Sequence, residues 1–192
     1  MFPSTFYHIY NHANDPENLF RMDENYRYFL QQWSKYVEPV AETYAYCLMP
    51  NHIHFLIRTK DESELKNQTG LQDLSGFISK QFSNLFNSYA KAYNKMFDRR
   101  GSLFIRPFKA KEIDSDEYLT NVIFYIHHNP VHHGFTKNLA DWPHSSYHAL
   151  ISDKQTRINR TAVHDWFGSP NEMKKYHQQN FQELQRIEME FT

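Results

Sequence analysis

The chain has a single cysteine, Cys47, among 192 residues. That excludes an internal disulfide and fits a reducing compartment. No window approaches the roughly 20 apolar residues needed to cross a bilayer, and mean hydropathy is −0.76. No positively charged start leads into an apolar stretch, so no secretory leader is expected. These absences predict a cytoplasmic protein with no membrane partner. Glycine is scarce, at 5 residues, and there are no internal repeats or low-complexity tracts. Charge of either sign is also in short supply. The net charge is −1, which argues against nucleic-acid binding through a global cationic surplus.

What the chain does have is aromatic surface. Phe, Tyr and Trp make up 17% of it, so the core is expected to rest on large rings, with some tyrosines half exposed. The length suits one domain of ordinary size with enough apolar residues to fold unaided. Charge is unevenly spread. Lys80, Lys91, Lys95, Arg99, Arg100, Arg106, Lys109 and Lys111 stand against only Asp98 over residues 80–111. Phosphate binding needs such a local field rather than a surplus overall, although a solvated helix face reads the same way.

Residues 6–11 alternate as a first strand and run into the turn cluster Asn14-Asp15-Pro16. Asp23 followed by Tyr26, Phe29, Leu30 and Trp33 predicts a helix to about Tyr36, ended by Glu38-Pro39. Residues 40–49 read as a second strand, with Pro50-Asn51 turning into a third. Residues 60–70 show no periodicity and read as a loop. Leu71, Leu74, Ile78, Leu85, Tyr89, Ala92 and Met96 recur at helical spacing. A fourth strand is expected over residues 103–111, with Pro107 at an edge or bulge. A last core helix follows, capped by Asp114 or Ser115 and stopping near Asn129-Pro130. This order is the split β-α-β pattern of a ferredoxin-like α+β sandwich, an antiparallel sheet with helices on one face. Residues 1–150 form the expected catalytic domain. Residues 151–192 form a helical extension, with a short segment over 163–167 and a charged helix over 170–191.

The chemistry points to Met49-Pro50-Asn51-His52-Ile53-His54. Side chains two apart on a strand share a face, so His52 and His54 can reach one ion while Ile53, Phe55 and Ile57 pack behind them. Two solvated imidazoles would look the same in sequence. Tyr125 and Asn129 are one helical turn apart on one face. A phenol and an amide oxygen presented together could face that ion. Equally, Tyr125 could pack on the sheet while Asn129 caps the helix.

Five blocks carry a family resemblance. They are Tyr7-His8-Ile9-Tyr10-Asn11, the Met49 to His54 run, Arg100-Gly101-Ser102-Leu103-Phe104 leading to Arg106-Pro107-Phe108-Lys109, Tyr125-Ile126-His127-His128-Asn129-Pro130-Val131, and Trp142-Pro143-His144-Ser145-Ser146-Tyr147. With these in order over about residues 5–150, the chain resembles the single-tyrosine HUH transposases, in their REP-associated tyrosine transposase branch. The resemblance implies an enzyme that cleaves and rejoins single-stranded DNA beside REP-like hairpins. Tyr125 would be the nucleophile, and His52, His54 and Asn129 the ligands of Mg²⁺ or Mn²⁺. The expected product is a 5′-phosphotyrosine with a free 3′ hydroxyl. Two departures stand out: His12-Ala13 where Arg-Gly is usual, and His132-His133 where a basic residue and Ala are common.

Arg100, Arg106, Lys109 and Lys111 are the expected DNA contacts, with Phe97, Phe104 and Phe108 interleaved to stack bases. The protein could act as a monomer or a homodimer. Two other classes compete: a binding regulator that keeps the fold without cutting, and a metal-dependent nuclease in which water replaces the tyrosine.

Overall fold

The computed structural model describes residues 1–14 and 16–179. Four strands, β1 (Phe6–His12), β2 (Ala41–Met49), β3 (His52–Thr59) and β4 (Lys109–Ile113), form one sheet in the order β2-β3-β1-β4. All three pairings are antiparallel. Helix α1 (Asp23–Tyr36) crosses between β1 and β2, and after α2 (Glu62–Thr69) the long helix α3 (Leu74–Met96) crosses between β3 and β4. This is the α+β split pattern that the element order implies.

The two crossover helices pack on one face of the sheet. Tyr7, Ile9, Ile53, Phe55 and Ile57 point there, joined by Phe29 and Trp33 of α1 and Ile78, Phe82 and Leu85 of α3. Trp33 stacks on Phe55 at 3.5 Å and donates from Nε1 to Thr43 Oγ1 at 3.0 Å, so the indole is buried without an orphaned donor. Helix α4 (Asp116–His132) covers the opposite face together with α5 (Tyr147–Leu150), α6 (Arg160–Phe167) and α7 (Pro170–Gln179). The sheet is therefore covered on both sides rather than on the one face the element order implied, with α1, α2 and α3 on the first. Residues 122–130 of α4 are all buried, because the helix lies between the sheet and the C-terminal helices.

A bulge in β2 allows both packings. Thr43 pairs with Ile57 and Ala45 with Leu56, leaving Tyr44 as the extra residue. Thr43 serves the first face. Tyr44, Ala45, Cys47 and Met49 then serve the second. The outer edge of β2 is closed by the chain after α4, with Leu48 N–H donating to His144 O, Ser146 N–H to Tyr46 O and Asn159 N–H to Thr43 O.

Several boundaries differ from the sequence expectation. Residues 62–69 are helical rather than a loop. Asp61 accepts from Glu64 N–H, Glu64 reaches back to cap Asp61, Gly70 ends the turn in the left-handed region, and Leu65 is buried beneath. β4 begins at Lys109 instead of residue 103, since Phe104 makes only an isolated bridge to Ala13 and Pro107 has no N–H for a ladder. α4 runs through Pro130 to His132 rather than stopping at residues 129–130. The first part of the expected helix over 170–191 is α7; the remainder lies outside the described residues.

Candidate active site

The second face of the sheet is lined with imidazoles. The antiparallel register pairs Tyr10 with His54 and His12 with His52, so His8, Tyr10 and His12 of β1 share a face with His52 and His54 of β3. The His8 and His54 rings lie nearly parallel with centroids 5.1 Å apart, Tyr10 lies 5.0 Å from His8, and the His12 and His52 rings lie parallel at 4.8 Å. Sequence reasoning missed His8, Tyr10 and His12. The signal was present, since β1 alternates with the same period of two that singled out His52 and His54.

Helix α4 sets Tyr125 over this array. Its ring meets His54 edge-on at 5.5 Å and His8 edge-on at 5.9 Å, and Tyr125 is only 5% exposed. Asn129, one turn later, is also buried, and its Nδ2 donates to Tyr125 O at 2.8 Å. That bond leaves Asn129 Oδ1 buried with no partner. His52 has the matching feature. Its Nδ1 bonds Asn51 Oδ1 at 2.8 Å, and its Nε2 is buried without a hydrogen bond. The structure thus brings together the four residues singled out from sequence: Tyr125, His52, His54 and Asn129.

Burial decides the protonation of these rings. Desolvation lowers the His52 pKa to about 3, with His12 and His133 adding to the shift and the Asn129 side chain opposing it. The His54 pKa falls well below the ordinary value, again mainly through burial. His8 is lowered to about 3 by burial and then by Lys111. Neutral imidazoles present lone pairs. A lone-pair nitrogen and an amide oxygen, both buried and unpartnered, form a donor set that a divalent cation would satisfy. Among the described residues no three His, Cys, Asp or Glu side chains are arranged to hold a metal.

The rim is exposed and imidazole-rich. His133 meets the His52 ring at 4.6 Å, and His12, His132 and His133 all face solvent. Lys109 and Lys111 pair with Tyr10 and His8, which puts them on the histidine face, both exposed. Arg100 and Arg106 lie on the connection before β4. Arg106 donates to Asn87 Oδ1 of α3 and lines a cavity of about 700 Å³ with Asn11, Lys91 and Phe108. The interleaved rings are largely structural. Phe104 is buried against Phe86, Phe108 packs on Phe82 and Phe86, and Phe97 carries the Arg21 guanidinium at 4.7 Å. Phe104 is thus mostly committed to the core, whereas half-buried Phe108 also lines the cavity with Arg106 and Lys91. Arg99 is likewise committed to the fold, bonding Glu17 at 2.5 Å and the carbonyl of Ser102 at 3.0 Å.

The far side of α4 is fastened by the C-terminal segment. His127 meets His177 Nε2 of α7 at 2.9 Å and Ser146 Oγ at 2.8 Å, and His177 donates from Nδ1 to Met173 O. The helix bearing Tyr125 and Asn129 is therefore held on both sides within one chain. Among the described residues no helix is long and apolar enough to cross a membrane.

Sheet and site together define a class: a ferredoxin-like α+β protein that presents paired imidazoles beneath a helix-borne tyrosine. Comparison with known proteins narrows it. A family model described as "Transposase IS200 like" matches residues 3–129. A Haemophilus influenzae protein named as a REP-associated tyrosine transposase is 30% identical over 132 residues, spanning 68% of this chain and 69% of that protein. A solved structure of a REP-associated tyrosine transposase bound to a REP hairpin superposes with a TM-score of 0.63 at 18% identity, covering 79% of this chain and 82% of the other. The chain belongs to the IS200-like transposases, in the REP-associated tyrosine transposase group. At the level of the family it is a DNA-processing enzyme.

Proposed function

We propose that this protein cleaves and rejoins single-stranded DNA beside a REP-like hairpin, with Tyr125 as nucleophile and His52, His54 and Asn129 holding a divalent cation. The observation that carries the reading is the pair of orphaned buried atoms, His52 Nε2 and Asn129 Oδ1, next to the tyrosine that overlies His54. Neither atom has a hydrogen bond of good geometry although the Asn129 side chain faces His52, and a cation would satisfy both Lewis bases. The named relatives support the DNA partner, since one of them was solved with a REP hairpin.

When bound, a cation such as Mg²⁺ or Mn²⁺ supplies Lewis acidity at the non-bridging oxygens of the scissile phosphate. The protein's own residues do the rest. Neutral His52 and His54 keep their lone pairs inward, and Asn129 is steadied by its bond to the Tyr125 carbonyl. The Tyr125 phenol oxygen attacks phosphorus and loses its proton. A new phosphorus–oxygen bond to tyrosine forms as the bond to the 3′ oxygen breaks. That oxygen leaves as a hydroxyl after gaining a proton, and the 5′ phosphate remains on the enzyme. The phosphotyrosine is itself a phosphodiester, so a second strand's 3′ hydroxyl can reverse the step without ATP. Exposed Lys109, Lys111 and Arg106, with Arg100, position the backbone.

The test is a denaturing-gel assay for a covalent protein–DNA adduct, using a hairpin with single-stranded flanks and Mn²⁺. The wild type and Tyr118→Phe, altered at an exposed tyrosine of the same helix, should form the adduct. Tyr125→Phe and His52→Ala should not. Cut ends without an adduct would indicate a hydrolytic nuclease, and binding without either product a regulator.

A further inference from the structure

The imidazole of His8 lies beside His54, fully buried, with its Nε2 2.9 Å from His54 Nδ1. The register puts Tyr10 directly opposite His54 and His8 one step along the same face, the diagonal position from which a long side chain reaches across a strand pair. The ring planes are nearly parallel at 16° and the centroids lie 5.1 Å apart, so the rings meet edge to edge through an in-plane hydrogen bond. The His8 ring also meets Tyr125 edge-on. One side chain thus touches both a candidate ligand and the candidate nucleophile.

A neutral imidazole has one donor nitrogen and one acceptor. At His52 the arrangement is set by Asn51, whose side-chain oxygen accepts from Nδ1 and leaves the Nε2 lone pair inward. At His54 the Nδ1 position is taken by His8, which leaves Nε2 as the nitrogen a cation could meet. If His8 donated, the His54 proton would sit on Nε2 and occupy the lone pair a cation needs. If His8 accepts, both strand imidazoles share one tautomer and offer Nε2 together.

We propose that His8 is a positioning residue of the cation site: it accepts from His54 Nδ1–H, fixing the tautomer and ring orientation in which His54 Nε2 is a metal donor. This inference rests on the reading of His52, His54 and Asn129 as the donor set. Partners of this kind fix ligand orientation and tune affinity at imidazole–metal sites generally.

Two measurements on the full chain test it. Long-range proton–nitrogen correlation spectra of the ¹⁵N-labelled wild type, without and with Mg²⁺, report the His54 tautomer directly. A proton on Nδ1 and a bare Nε2 that shifts with the cation are expected; a proton held on Nε2 throughout overturns the proposal. Titration calorimetry with Mn²⁺ should show His8→Phe binding about 10 to 100 times more weakly than wild type. His8→Gln, whose carbonyl can accept the same hydrogen bond, should recover most of that loss. Equal affinity in wild type and a folded His8→Phe, with His52→Ala weakened, overturns the role of His8 and leaves the donor set standing. No Mn²⁺ binding by folded wild type overturns both. Should His8→Phe fail to fold, the wild-type tautomer decides.

Discussion

The two faces of the sheet are built from the same two strands and serve opposite ends. On β1 and β3, Tyr7, Ile9, Ile53, Phe55 and Ile57 enter a dry aromatic core, while the alternate residues His8, His12, His52 and His54 line the other side. Among the described residues the first face buries no side-chain N or O atom without a hydrogen-bond partner, as with the Trp33 donor on Thr43. The second buries His52 Nε2 and Asn129 Oδ1 without partners. Alternation lets one strand carry stability on odd positions and unmet coordinating capacity on even ones, with the rigid core holding the reactive face in register.

The sharpest break between the faces is chemical. Tyr125→Phe should abolish the covalent adduct while shifting the urea midpoint little, because the ring remains and only a hydroxyl is lost. Phe55→Ala on the first face should do the reverse. It removes a fully buried ring stacked on Trp33, which corresponds to about 3–5 kcal/mol of destabilisation by equilibrium unfolding. Adduct formation should then fall only as far as the folded population does. A large midpoint shift in Tyr125→Phe, or none in Phe55→Ala, would break the division of labour.

Acid should sharpen the contrast. His8 and His52 have pKa values lowered to about 3, and His54 lies well below the ordinary value, so the folded state refuses protons that the unfolded chain accepts below about pH 6.5. Their neutral form favours folding fully above that pH. Stability falls as pH drops from 6.5 toward 3, by up to about 1.4 kcal/mol per pH unit for each such ring. His127 and His177, also lowered by burial, act with the same sign. Urea midpoints without metal should therefore decline steeply between pH 7 and pH 5, and a flat profile would mean the rings charge in place. Added Mn²⁺ should raise the midpoint at pH 7.5, and His52→Ala should remove that gain.

The smallest effect belongs to the rim. Lys109→Ala and Lys111→Ala should each weaken binding of a single-stranded oligonucleotide only a few-fold, lowering the log–log salt slope by roughly 0.7 per lost phosphate contact. An unchanged slope would assign both lysines to protecting the exposed β4 edge, a role such charges also play.

Much of this was legible in the residues. The spacing of His52 and His54 placed two imidazoles on one face, and the four-residue step from Tyr125 to Asn129 placed phenol and amide together. Periodicity also found α1 and α3. Weakly periodic segments were not legible. α2 buries essentially Leu65 alone and is defined by its caps. The bulge at Tyr44 leaves no mark in the sequence, yet it turns Cys47 and Met49 toward α4. Phe104 sits among basic residues and looks like a stacking platform until the packing of α3 closes over it.

Alternation and helical spacing are local rules, so the sequence by itself determined which side chains travel together: His52 with His54, His8 with Tyr10 and His12, and Tyr125 with Asn129. Which of these groups would meet was a question of strand register and helix docking, set by contacts between residues far apart in the chain. Only the tertiary structure brought His8 against His54 across β1 and β3, lowered Tyr125 onto both, and sealed Asn129 away from water. Long-range packing and desolvation are properties of the assembled core, and no short window of residues contains them.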